Sequence, residues 1–266
     1  MPHPLLRFQS PRTFIQVGAH RGDDALIRAC RHWGHRLIMF EPIPARVAEL
    51  RAKIGDAPTI EVVPMAVSNH DGRARFHVAA HDDCSSLQPF DPAANQNWVH
   101  PYHPYKSFET VEDIEVEVTR LDTFLNRRRL GVIELLEVDA QGEDLRVVES
   151  LGERIRDVRK IQIEVNIHTA PLYQNAFTMA EATAFFAAHG FERHVSWKQS
   201  VNREENVIFR NRRYFPFPEM NFAASNLEQG ARAAYIAAVK LPRVWAVAKM
   251  KLKGKMTPRP SAPPAE

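Results

Sequence analysis

Thr13-Phe-Ile-Gln-Val17-Gly18-Ala-His-Arg-Gly22-Asp23-Asp24 is the stretch from which the rest of the chain is best read. A short apolar run stops at a glycine, a second glycine follows four residues later, and an acidic pair opens a stretch of helical spacing that reaches Trp33. That order predicts a strand over Thr13 to Val17, a tight turn, and a helix whose free N-terminal amides face whatever the turn holds. Gly34 ends the helix, and Arg36 to Phe40 is the next apolar run. Glu41-Pro-Ile-Pro44 then opens a second helical stretch carrying Val47, Leu50 and Ile54. The pattern so far is strand, helix, strand, helix.

Further out, Ile60 to Val63 predicts a third strand, Ser68-Asn-His-Asp-Gly72 a turn, and Arg73 to Val78 an alternating strand. Between Ala80 and Asp113 periodicity fails, and Trp98-Val-His-Pro-Tyr-His-Pro-Tyr105 reads as part of a long functional loop or lid. Order resumes with the alternating Ile114 to Val118, a helix-like Leu121 to Leu125, and the continuous apolar run Val132 to Val138, which is the pattern of a buried parallel strand. That strand ends in Asp139-Ala-Gln-Gly-Glu143, from which a helix over Gln141 to Leu151 departs. Val158 to Val165, a helix from Met179 to His189, and strands at Phe191 to Trp197 and Asn206 to Arg210 close the pattern. Such alternation favours a doubly wound parallel sheet, with ligands at the carboxyl ends of its strands.

Composition narrows the classes. In 266 residues, 44% hydrophobic and 25% charged is ordinary for a globular domain, and a formal net charge of +3 argues against a dedicated nucleic-acid binder. Two cysteines, Cys30 and Cys84, make neither a disulfide framework nor a cysteine zinc site. With no signal-like or membrane-spanning apolar run, the expectation is a cytoplasmic protein. The boundaries expected are a catalytic domain over 1–220, with the inserted loop at about 80–113, and a basic helical and disordered tail over 221–266. Leu241, Val244, Trp245 and Ala248 alternate there with Lys240, Arg243, Lys249 and Lys251, so the tail is readable either as a membrane-surface helix or as a solvated helix.

Gly18 and Gly22 alone describe many α/β turns, because the spacing lacks the third glycine of the dinucleotide fingerprint. Glu41 adds to them. It lies 23 residues after Gly18 at the end of the second strand, where a carboxylate can take two hydrogen bonds from ribose hydroxyls; the alternative is a carboxylate serving a helix N-terminus.

Val17-Gly-Ala-His-Arg-Gly22, Phe40-Glu-Pro-Ile-Pro44, Ala66 to Gly72, Ser85-Ser-Leu87, Leu121 to Leu125, Leu136 to Glu143 and Ile163-Glu-Val165 resemble, in order, the motifs of the FkbM-type methyltransferases. The resemblance spans about Thr13 to Arg210. It implies an α/β, Rossmann-like class I methyltransferase fold with a mostly parallel sheet and helices on both faces. It also implies S-adenosylmethionine as donor and O-methylation of a hydroxyl on a glycan, lipid or secondary metabolite. Carried over by position, Gly18 and Gly22 would line the methionine part of the donor, Glu41 would hold the ribose, and Met65 to Val67 would lie near the adenine, with Ala19, His20, Pro42 and Ala66 also among the cofactor-binding residues. Asp139 would sit beside the sulfonium. Gln16 stands where the family commonly has aspartate, Glu137 where lysine is frequent, and His20 where asparagine is common.

An alcohol is too weakly acidic to ionise near neutrality, so methyl transfer to it gains from a base. Asp139, Glu164 and His168 are the candidates, each at or after the end of a central strand. For His168 the competing reading is an ordinary loop histidine, for Asp139 a helix cap, and Glu143 reads as structural at the first turn of its helix. A divalent cation on Asp139, Glu164 and Asn166 is a lesser alternative, as is one on His100 and His103. Trp98, Tyr102 and Tyr105 could stack on an acceptor. The partner expected is a small-molecule or glycan acceptor and no nucleic acid. The rival functions are a fold-retaining nucleotide- or glycan-binding protein and an NAD-dependent oxidoreductase.

Overall fold

The structure, a computed structural model, describes residues 11–99, 107–199 and 203–216. The chain divides into two units, 1–216 and 217–266; the basic tail belongs to the second and lies outside the described residues, as do His100, Tyr102, His103 and Tyr105.

Strand β1 (Thr13–Val17) leads through the glycine turn to α1 (Asp24–Trp33). Asp23 caps α1, its Oδ1 accepting the Ala25 and Leu26 amides at 2.5 and 3.0 Å, and Gly34 stops it in the left-handed region at φ 66°. β2 (Arg36–Phe40), α2 (Pro44–Ile54) and β3 (Ile60–Val63) follow. Pro44 suits the first turn of α2 because its absent N–H would have no helical partner there. After β4 (Ala66–Val67) and β5 (Gly72–Ala79) come α3 (Ala94–Trp98), β6 (Thr110–Thr119) and α4 (Leu121–Arg127). β7 (Ile133–Val138), α5 (Asp144–Glu149), β8 (Val158–Asn166), α6 (Met179–Ala188), β9 (Phe191–Gln199) and β10 (Glu204–Asn211) complete the described elements.

The main sheet runs β3-β2-β1-β7-β8-β10-β9, parallel from β3 through β8, with β10 antiparallel to both of its neighbours. Its central strands bury both faces, with Ile15, Ile38, Phe40, Leu136, Ile161 and Ile163 all but inaccessible. Sequence order reverses between β1 and β7, and the loops leaving their carboxyl ends part there to leave a cleft. A second, three-stranded sheet, β4-β6-β5, supplies another wall.

The segment read as a long loop or lid needs correcting. β6 begins inside it, at Thr110, and pairs antiparallel with β5. Ala94, Trp98, Phe108 and Cys84 bury themselves against Leu172 and Tyr173 in a small core of their own. Its prolines and polar residues give it a loop composition, but its aromatics supply enough apolar surface to pack it down. The helix expected over Gln141 to Leu151 is likewise shorter, because Gln141 and Gly142 have φ of 54° and 89°, which no right-handed helix admits.

Candidate active site

A cleft opens at the carboxyl ends of β1, β2 and β7. Gly18 and His20 line it from the first turn, Glu41, Pro42 and Ile43 from the second, and Asp139 to Gln141 from the third. Met65, Ala66, Val67 and Phe76 close one wall, while Asp82, Asp83, Ser85 and Leu87 come from the packed insert.

Gly18 is imposed by geometry. Its φ is 73°, and a Cβ there would fall 1.8 Å from the carbonyl oxygen of Asp139. The first and third turns therefore touch through bare backbone, tied below by Asp139 N donating to Val17 O at 3.0 Å. Gly22 does other work: its Cβ would meet Ile27, Met39 and Leu50, so its absence lets α1 and α2 close on the sheet. Gly22 and Ala19 do not line the cleft.

Glu41 is only 3% exposed. One carboxylate oxygen accepts the His20 amide at 2.7 Å and the other the Ile43 amide at 2.8 Å. Helix service and cleft lining thus coexist. Each oxygen keeps a second acceptor site, so the carboxylate is held rigidly and can still take a diol. Burial raises its carboxyl above the ordinary range, and the Ile43 and His20 amides offset only part of that rise.

The His20 ring stands with Nε2 3.2 Å from Asp82 Oδ1, and the Arg46 guanidinium of α2 donates to the same carboxylate. Burial would raise Asp82, but the His20 hydrogen bond and Arg46 outweigh it and hold the carboxyl below its ordinary range. The insert's first turn is thereby fastened to the mouth of the cleft.

Asp139 is exposed in the cleft and is no helix cap; α5 begins later, and it is the Asp144 carboxylate that receives the Ala140 and Glu164 amides, at 3.2 and 3.0 Å. The protein crowded around Asp139 raises its carboxyl above the usual range, while the Gln141 side-chain amide, 2.6 Å from Oδ1, lowers it. Glu164 lies behind, 8% exposed and outside the cleft lining, its Oε2 3.3 Å from the same Gln141 nitrogen. Burial first, and then Glu204, Asp139 and Asp144, push Glu164 well upward. Glu143 is buried and accepts from Ser68 Oγ at 2.7 Å, from Gln88 and from Arg146.

His168 is not brought to the cleft. Its Nδ1 lies 3.1 Å from the Ala170 carbonyl, its amide donates to Asn166 Oδ1 at 3.0 Å, and its ring meets Trp98 edge-on. Trp98 is 1% exposed and donates Nε1–H to Ala170 O at 3.1 Å, so it offers no face to an acceptor. Asn166 is occupied with His168, and among the described residues no three His, Cys, Asp or Glu side chains gather as a metal site would require.

Sequence reasoning passed over Asp82, Asp83, Phe76 and Gln141 as cleft residues. The Asp82-Asp83 pair carried a polar signal, but nothing local said which face of the insert it occupied.

The profile described as the Methyltransferase FkbM domain matches residues 16–193. The 2-O-methyltransferase NoeI of Sinorhizobium fredii (strain NBRC 101917 / NGR234) is 27% identical over 158 residues, covering 56% of this chain and 61% of that protein. The chain thus spans less than two thirds of that relative's length. Among solved structures, M. capricolum TrmK in complex with S-adenosyl-homocysteine aligns over 79% of this chain and 69% of its own, at 7% identity and TM-score 0.42. The N-terminal domain of human METTL16, also with that compound, aligns over 76% and 62%, at 9% identity and TM-score 0.41.

Proposed function

Because the chain belongs to the FkbM methyltransferase domain family, we propose that it is an S-adenosylmethionine-dependent methyltransferase acting on a hydroxyl of a glycan, lipid or secondary metabolite. The observation that carries the reading is the seat of Glu41, a buried carboxylate fixed by two backbone amides at the floor of a cleft that also holds bare backbone at Gly18. The residues present fit the donor. Glu41 would hold the ribose diol, the Gly18 turn would let the methionine part approach the backbone, and Ile43, Met65, Val67 and Phe76 offer an apolar wall to a purine.

When bound, S-adenosylmethionine supplies a methyl carbon on a cationic sulfur, which keeps the carbon–sulfur bonding pair as the acceptor oxygen takes the carbon. Asp139 supplies negative charge to the cleft and receives the proton that the hydroxyl loses. The tie among His20, Asp82 and Arg46 orders the mouth of the cleft. Relatedness to a protein named as a 2-O-methyltransferase favours a hydroxyl acceptor.

Calorimetry with S-adenosylmethionine against NAD tests the donor, and transfer of labelled methyl into a cell extract tests the reaction. Glu41→Ala should weaken donor binding by about tenfold or more, the cost of hydrogen bonds to a charged group. Equal affinity in the variant, or preference for NAD, would reject the reading.

A further inference from the structure

We propose that Gln141 is the positioning residue of this site: the Tyr173 hydroxyl turns its side-chain amide so that the NH2 end holds the Asp139 carboxylate in the cleft, ready to take a proton. The proposal rests on the reading of Asp139 as base given above.

Gln141 is fixed on every side. Its backbone is left-handed, a conformation uncommon for a glutamine, and its carbonyl accepts from Ser86 Oγ at 2.6 Å. The next residue, Gly142, lies so close to Tyr173 that a Cβ would come within 2.9 Å of the tyrosine's own Cβ. The turn is thus pressed against the Tyr173 ring, which is buried and stacked on Phe90 at 5.2 Å.

An amide has one accepting and one donating end. Tyr173 Oη lies 2.7 Å from Gln141 Oε1, and a phenol at neutral pH has a proton to give, so the carbonyl end is assigned to the tyrosine. The two protons of Nε2 are left for two carboxyl oxygens, Asp139 Oδ1 at 2.6 Å and Glu164 Oε2 at 3.3 Å. Reversing the amide would set acceptor against acceptor at both acids. Glu164 gains as well: its other oxygen is buried with no hydrogen-bond partner among the described residues.

The surroundings make such a donor necessary. Asp139 is faced by Asp83 from the insert, Asp144 from the start of α5 and Glu164 from β8, with Glu204 of β10 behind Glu164 and His20 on the opposite wall. The protein crowded around Asp139 and the nearby Asp83 carboxyl favour a proton on it, and the Gln141 amide opposes them. A base that already carries a proton cannot accept one. The competing partner for the Tyr173 proton is Cys84 O, at 2.8 Å, and the experiment separates the two.

The readout is the titration of the Asp139 carboxyl carbon by NMR in the full chain, assigned by its loss in Asp139→Asn. Tyr173→Phe removes only the hydroxyl. Gln141→Asn keeps an amide and tolerates the left-handed backbone but is one methylene too short to bridge. Each should raise the Asp139 midpoint by about one pH unit or more, the shift expected from losing one hydrogen bond to a charged group. An unchanged midpoint in Gln141→Asn overturns the proposal. A shift in Gln141→Asn with none in Tyr173→Phe overturns the tyrosine's part, its proton then belonging to Cys84 O. Should Tyr173→Phe not fold, Gln141→Asn decides. A merely structural role would lower Tm and leave the titration in place. Wild-type protein that fails to bind S-adenosylmethionine in calorimetry would sink the methyltransferase reading, while the titration would still decide whether Gln141 holds Asp139.

Discussion

Gly18→Ala isolates the contact on which the cleft is built. The added carbon would start 1.8 Å from Asp139 O, whereas real contacts of this kind stay beyond 3.0 Å, so about 1.2 Å must be found by moving backbone. Neither side yields easily. Gly18 N is bonded to Phe40 O at 3.1 Å and Asp139 N to Val17 O at 3.0 Å, so relief on either side loosens the pairing of β1 with β2 or with β7. The left-handed φ costs an alanine roughly 1–2 kcal/mol, and overpacking adds roughly 1–3 kcal/mol. The total of about 2–5 kcal/mol corresponds to a fall in Tm of roughly 4–20 °C for a domain of this size. Gly34→Ala is the internal control, since it shares the left-handed backbone, φ 66°, but its Cβ would meet nothing within 4 Å. Thermal unfolding of both variants, with calorimetry for S-adenosylmethionine below their transitions, separates backbone strain from collision. If the two variants lose equal stability, or if Gly18→Ala binds the donor as wild type does, the close approach of the two turns is not what shapes the cleft.

Two buried or half-buried acids should respond to pH with opposite sign. Glu164 titrates above its unfolded value, so folding loses stability as pH rises from the unfolded carboxyl range to the folded one; Glu164→Gln should therefore raise Tm at pH 7 to 8, with the gain vanishing near about pH 4. Asp82 titrates below its unfolded value, so its contribution is whole above the ordinary carboxylate range and fades as pH falls through the folded value. Asp82→Asn should then lower Tm at neutral pH and converge on wild type in acid, and a constant difference across the range would exclude the tie to His20 and Arg46 as its source. Trp98→Phe removes the bond to Ala170 O and part of a buried ring; a loss of about 1–3 kcal/mol with donor affinity within twofold is expected, and a selective loss of acceptor turnover would instead return Trp98 to the site.

What was legible in the sequence was what repeats locally. β1, β2 and β3 lie where apolar runs and glycines put them, because a parallel strand buried on both faces writes its burial into every residue. The three-stranded sheet was not legible as a separate layer. Its defining pair, His77 with Asp113, joins residues 36 apart through a segment whose composition resembles that of a loop, and alternation says nothing about which partner a strand will find. The same limit explains Trp98: an aromatic in a proline-rich stretch serves a ligand or a core, and only the facing residues, here Leu172 and Tyr173, decide which. Gln16 and Glu137, noted singly as departures from the family's common aspartate and lysine, prove to be neighbours in register on β1 and β7. The two departures thus fall on facing positions of adjacent strands. The neutral side chain was placed on the strand where Gln16 is nearly buried, at 6% exposure, and the charge on the less buried Glu137. Burial of an unpaired charge would have been the costlier arrangement. The pair lies one residue below Val17 and Val138, which lead into the two turns that meet at Gly18 and Asp139, so exchanging it leaves the contact that shapes the cleft in place.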